Sequence, residues 1–160
     1  MSVYLSVAPP DGFLRWGEAD WDRWLREHPW ESAERVCSRG DWAIFLFQLR
    51  QHADKAKKLL EPLVEALVNE RPLTSNEADD FKLGLETARK ELDAKPAAGL
   101  RNGNGNFAGS EDLDAMIAAA TSRKGGDPSM ADVWQEVFDQ LDKVLAAALA
   151  QKRGIYFGNV

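Results

Sequence analysis

The stretch DPSMADVWQEVFDQLDKVLAAALAQKRG, residues 127–154, decides the fold class. Met130, Val133, Trp134, Val137, Phe138, Leu141, Val144, Leu145, Ala148 and Leu149 recur at three and four residues. That spacing gathers them on one side of an α-helix. Asp127 supplies a capping carboxylate, Pro128 suits the first helical position, where its missing N–H costs nothing, and Gly154 supplies a stop. The reading predicts one long helix from Pro128 to about Lys152, with Trp134 in the core.

The same periodicity runs outward through the chain. Ser110 caps a helix that turns Leu113, Met116, Ile117 and Ala120 inward before Gly125-Gly126. Thr74 and Glu77 have the spacing of a capping box for a helix that carries Phe81, Leu83, Leu85, Ala88 and Leu92 on a rougher apolar side and ends before Pro96. Between Asp41 and Glu70 the apolar positions Trp42, Phe45, Leu46, Leu49, Ala53, Leu60, Leu63, Val64 and Leu67 continue the pattern, and Pro62 should kink or divide that region. Trp21, Trp24, Leu25 and His28 form one stripe on a short helix ended by Pro29, with its tryptophans expected in the core. A further short helix is predicted over Ser32 to Ser38, stopped by Gly40.

The two ends read differently. Val3, Tyr4, Leu5 and Val7 near the start and Ile155, Tyr156 and Phe157 near the end suit a pleated surface. They predict two strands that pair, and such a ribbon needs a helix beneath it or a third strand. Lys95 to Gly109, rich in glycine and asparagine, reads as a flexible loop. The expected architecture is mainly α: a single-domain helical bundle over residues 1–160, of about five or six helices, with a small β-ribbon of the N- and C-terminal segments.

Composition narrows the function classes. The chain has 160 residues, a net charge of −6 and one cysteine, Cys37. No internal disulfide is possible, no signal peptide is visible at the start and no apolar run is long enough to span a bilayer, so a cytoplasmic protein without membrane contact is expected. An acidic chain lacks the clustered Lys and Arg that nucleic-acid binding draws on. Between Ser110 and Asp142 stand eight acids, Glu111, Asp112, Asp114, Asp127, Asp132, Glu136, Asp139 and Asp142, against Arg123 and Lys124. Such a stretch serves either as a solvated face or as a docking surface for a basic partner.

Catalytic signatures are missing. Only His28 and His52 offer imidazoles, Cys37 has no nucleophile motif around it, and no CxxC or HExxH spacing occurs. The carboxylates Glu77, Asp79, Asp80, Glu111, Asp112 and Asp114 cluster at helix starts, where they complement the dipole. Arg101-Asn102-Gly103-Asn104-Gly105-Asn106 lacks the lysine and hydroxyl of a phosphate loop. No metal and no cofactor is expected.

Five of six tryptophans, Trp16, Trp21, Trp24, Trp30 and Trp42, fall within the first 42 residues. Trp16 and Trp30 lie off any apolar stripe, so they are the aromatic candidates for partner contact, and Asp132, Glu136 and Asp139 are the acidic ones. The leading functional expectation is a non-enzymatic, acidic protein-binding protein, of the kind that includes bacterial immunity proteins and other inhibitors, which occludes the active site of a basic toxin or enzyme. The alternative is a small-molecule-binding domain or enzyme whose pocket is lined by the N-terminal tryptophans and closed by the Lys95 to Gly109 loop.

Overall fold

The computed structural model describes residues 2–10, 15–28, 34–69, 71–101 and 110–159, with the backbone alone at 101, 110–112, 158 and 159. Its described elements are β1 (Ser2–Val7), α1 (Glu18–Glu27), β2 (Glu34–Ser38), α2 (Arg39–His52), α3 (Asp54–Val68), α4 (Ser75–Asp93), a 3-10 turn (Ala97–Arg101), α5 (Ser110–Lys124), α6 (Met130–Val133), α7 (Gln135–Ala150) and β3 (Ile155–Asn159). Predominantly helical structure and the pairing of the two ends are as the sequence predicts.

The core is built around α7. Trp134, Phe138, Leu141, Val144, Leu145 and Ala148 are buried, and Phe45 of α2 meets the Trp134 and Phe138 rings at 5.4 and 5.3 Å in edge-on geometry. Offset and edge-on contacts of this kind suit the ring quadrupoles. α4 packs along α3 and α7, burying Phe81, Leu85, Ala88 and Leu92, whereas Leu83, read from the sequence on the same apolar side, stands two residues from Phe81 and Leu85 on the opposite side of the helix and is exposed. Its start carries the predicted capping box: the Thr74 hydroxyl accepts from the Glu77 N–H and the Glu77 carboxylate accepts from the Thr74 N–H.

Four local readings are corrected. The 127–154 helix is divided at Trp134, and its cap is Ser129 rather than Asp127: the Ser129 hydroxyl accepts from the Asp132 N–H while the Asp132 carboxylate accepts from the Ser129 N–H. That reciprocal pair satisfies two helix-start donors, which Asp127 two residues earlier cannot match. Gly154 does not provide the turn's left-handed residue; Lys152 does, at φ 52°. A Cβ on Gly154 would lie 1.7 Å from the Leu73 carbonyl oxygen, so glycine is needed there for close approach of two backbones.

Pro62 lies inside α3, and the expected break falls at Ala53 instead. Pro62 is on the exposed side, while Ala53 and Ala56 are buried, so turning the chain at Ala53 lets α2 and α3 both face the core. Lastly, the segment read as a helix over Ser32 to Ser38 is the strand β2 from Glu34, and Gly40 lies in the first turn of α2. Val36 and Cys37 are better suited to a pleated surface, and β1 offers a paired edge that an isolated turn of helix lacks.

β2 therefore completes a three-stranded antiparallel sheet of order β2-β1-β3. Val3, Leu5, Val7 and Ile155 face the helices, and Phe157, opposite Leu5, meets Trp42 at 5.6 Å. Tyr156 pairs with Ser6 and thus shares the other face. The loop expected from Lys95 onward opens with the 3-10 turn, which buries Ala97 and Leu100. Residues 102–109 lie outside the described residues.

Candidate functional site: an aromatic shelf on the outer face of the sheet

α1 is a short amphipathic helix whose N-terminal N–H, that of Gly17, donates to the Asp20 carboxylate at 3.0 Å. Glu18 and Asp20 stand early and Arg26 late, in line with the helix dipole. None of its residues is buried. Trp21 and Trp24 are half-buried and Leu25 is 45% exposed, which corrects the expectation that this stripe enters the core. The core-facing side of the sheet is already filled by α2 and α7, so α1 is left with the sheet's other face, where Trp21 meets Tyr156 at 5.9 Å.

A second layer of contacts holds the shelf. Trp16, half-buried, lies 5.8 Å from Trp21 and 6.0 Å from Trp24. His28 stacks on Trp24 at 3.7 Å with a 16° interplanar angle. The Arg153 guanidinium stands 5.2 Å from the Trp24 ring centroid while its Nε donates to the Ala8 carbonyl at 2.6 Å, tying the shelf to the turn before β3. The Trp24 Nε1–H is buried, with no acceptor among the described residues. A cluster of flat, half-covered rings is equipped to bury against another surface.

No family model, curated protein or solved structure matches this chain. The functional reading rests on its own geometry.

Trp16 is thus the one aromatic candidate that the structure places, as the centre of a cluster rather than an isolated ring; Trp30 lies outside the described residues. The acidic candidates sit elsewhere, on α6 and α7. Asp132 closes the Ser129 capping box and accepts from Lys124 Nζ at 2.8 Å, which together hold its carboxyl below the usual aspartate range, Lys124 being the larger cause. Asp139 pairs with Arg89 of α4 at 3.0 Å, and Asp142 lies 3.5 Å from the same guanidinium. Glu136 is exposed in the first turn of α7. Asp132 and Asp139 therefore both hold helices to their neighbours.

Cys37 is buried on β2, and burial, reinforced by Asp41, pushes its thiol up to about 12, so a thiolate is scarce at neutral pH. Among the described residues no group of three His, Cys, Asp or Glu side chains is placed to hold a metal ion. No described helix is long and apolar enough to cross a membrane.

Sequence reasoning missed Tyr156 and Arg153 as members of the shelf. The signal was present in part: Ile155-Tyr156-Phe157 alternates, so Tyr156 must face away from its two neighbours. Nothing local linked it to α1, 130 residues earlier in the chain.

Proposed function

We propose that this chain is a non-enzymatic protein-binding protein that seats its α1 shelf against a partner protein, as an inhibitor of the immunity-protein kind does when it occludes a basic toxin or enzyme. The observation that carries the reading is α1 itself. A helix that buries no residue yet presents Trp21, Trp24 and Leu25 beside Trp16 leaves large rigid apolar groups only half covered, and such groups dominate the energetics of protein interfaces. The acids between Ser110 and Asp142 would add long-range attraction for a basic partner, with Glu136 the candidate not committed to an internal pair in the contacts described above.

The test is site-specific photo-crosslinking in extract of the native host. A photoreactive residue at Leu25 should trap one discrete protein that Trp16→Ser abolishes, while the same group at Leu83, an equally bulky and 56% exposed side chain on α4, should trap none. The trapped protein should then lose its own activity when mixed with this chain. Equal labelling from both positions, or labelling indifferent to Trp16, overturns the reading.

A further inference from the structure

The three-stranded sheet ends in two edges that the sequence treats differently. At β2 the pairing is irregular: Cys37 lies opposite Val3 and Arg35 opposite Tyr4, which leaves Val36 between them as an extra residue, and the strand carries the charges of Glu34 and Arg35. A bulge and charged side chains both discourage a further strand from adding to an edge. β3 has neither. Ile155 to Val160 contains no charged residue and no proline, and the pairing of β3 with β1 runs without a shift.

Two bonds fix the direction of its backbone groups. The Ala8 N–H donates to the Gly154 carbonyl at 2.8 Å, so residue 154 faces β1, and the Leu73 N–H donates to the Ile155 carbonyl at 2.8 Å, so residue 155 faces away. Alternation then turns the N–H and C=O of Tyr156 and Gly158 toward β1, and those of Phe157 and Asn159 toward the outer edge. The segment at Leu73 reaches no further along that edge. Pro72 has no N–H, and the Arg71 N–H donates to the Ala66 carbonyl at 2.9 Å. Among the described residues no backbone group bonds to those that Phe157 and Asn159 turn outward.

We infer that this edge takes a second copy of the chain, β3 pairing antiparallel with β3 about a twofold axis at Gly158, so that Phe157 lies opposite Asn159 of the second copy. Only an extended backbone offers donors and acceptors at the two-residue spacing of this edge, and in that register each such pair exchanges both bonds while Ile155 keeps Leu73. Charge favours a copy over an unrelated strand. Each chain carries −6, so two copies repel unless they meet through a neutral stretch, and Ile155 to Val160 is one. A basic partner of the kind proposed above is drawn to carboxylates, which β3 lacks. So short a ladder makes a weak, concentration-dependent dimer rather than a permanent one. The contact is isologous and runs through backbone groups, not through the rings of the α1 shelf, so it stands or falls separately from the proposed protein interface.

Sedimentation equilibrium of the full chain over a range of concentrations tests it. The native chain should move from the monomer mass toward twice that mass as concentration rises. Gly158→Lys sets like charges opposite one another at the axis and should weaken association at least tenfold, as should Gly158→Glu. An equimolar mixture of these two variants should recover association, because opposite charges then face each other. Asn159→Pro removes an N–H that faces away from β1, so it should also weaken association at least tenfold while circular dichroism and the thermal midpoint stay unchanged. A native chain still monomeric at millimolar concentration, a dimer indifferent to Gly158→Lys or to Asn159→Pro, or a mixture no better associated than either charged variant alone would each overturn the inference.

Discussion

α7 and α1 carry the same kind of sequence signal and meet opposite fates. Each has a tryptophan-bearing apolar stripe at helical spacing, yet α7 and the turn before it bury Trp134, Phe138 and Leu141 completely, whereas α1 leaves Trp21 and Trp24 half-buried. The difference lies in what each stripe finds. α7 lies against α4 and the inner face of the sheet, with Phe45 of α2 filling the gap. α1 arrives on the outer face, where among the described residues one strand supplies Tyr156 and a turn supplies Arg153, and Trp16, Trp21 and Trp24 stay half covered. Periodicity therefore identifies residues that share a side; the amount of opposing surface decides whether that side becomes core or remains a face for recognition.

The comparison breaks most readily through Trp134. Trp134→Ala should cost roughly 3 to 5 kcal/mol and Leu141→Ala roughly 2 to 5, measured by chemical denaturation, because each leaves a cavity in a packed centre. Trp24→Ala, removing a half-covered ring, should cost about 1 to 2 kcal/mol, in keeping with its ring contacts to His28 and Trp16 and one cation–π contact with Arg153. Equal losses at Trp134 and Trp24 would erase the distinction.

Gly154→Ala sharpens the account at the junction of α7 and the sheet. The added Cβ would collide with the Leu73 carbonyl, a backbone group that cannot rotate away, so a loss of roughly 3 kcal/mol, at the upper end of overpacking costs, is expected. A thermal midpoint equal to that of the native chain would show that the two backbones do not approach so closely.

At the small end stands Leu25→Ser. An exposed side chain off the core should change stability by less than about 0.5 kcal/mol while diminishing partner capture, a separation of fold from recognition that no α7 variant should show. Smaller still is the acid response at the start of α4. The hydrogen bonds from Arg71, chiefly, and from Thr74 hold the Glu77 carboxyl below its ordinary value of 4.5, so its stabilisation is present above that pH and is lost as pH falls through the folded-state value. Glu77→Gln should make the decline in stability below pH 4.5 shallower, as read from denaturation midpoints; an unchanged acid limb would show that the pair with Arg71 contributes nothing.

Most of the fold was readable because its signals are local. The Thr74–Glu77 box, the stop before Pro96 and the α7 stripe each involve residues within a few turns of one another. What escaped depends on partners far along the chain. The strand β2 is fixed by pairing with β1, some thirty residues earlier, with Val3 opposite Cys37 and Tyr4 opposite Arg35. The break at Ala53 rather than Pro62 follows from which side of α3 is covered, and a proline on the exposed side of a packed helix is tolerated. Of the candidate site, Trp16 was legible as a ring outside any stripe. Its neighbours Tyr156 and Arg153 were not, since their proximity exists only once β3 pairs beside β1.

Native-state hydrogen exchange of the isolated chain measures the central contrast directly. The amides of α1 from Trp24 to His28 should exchange through a local opening whose free energy is small and insensitive to low denaturant, while those of Leu141 to Leu145 exchange only with global unfolding. If α1 instead shows the same free energy and denaturant dependence as α7, the helix is part of the core's cooperative unit, and the shelf is not the separable recognition surface described above.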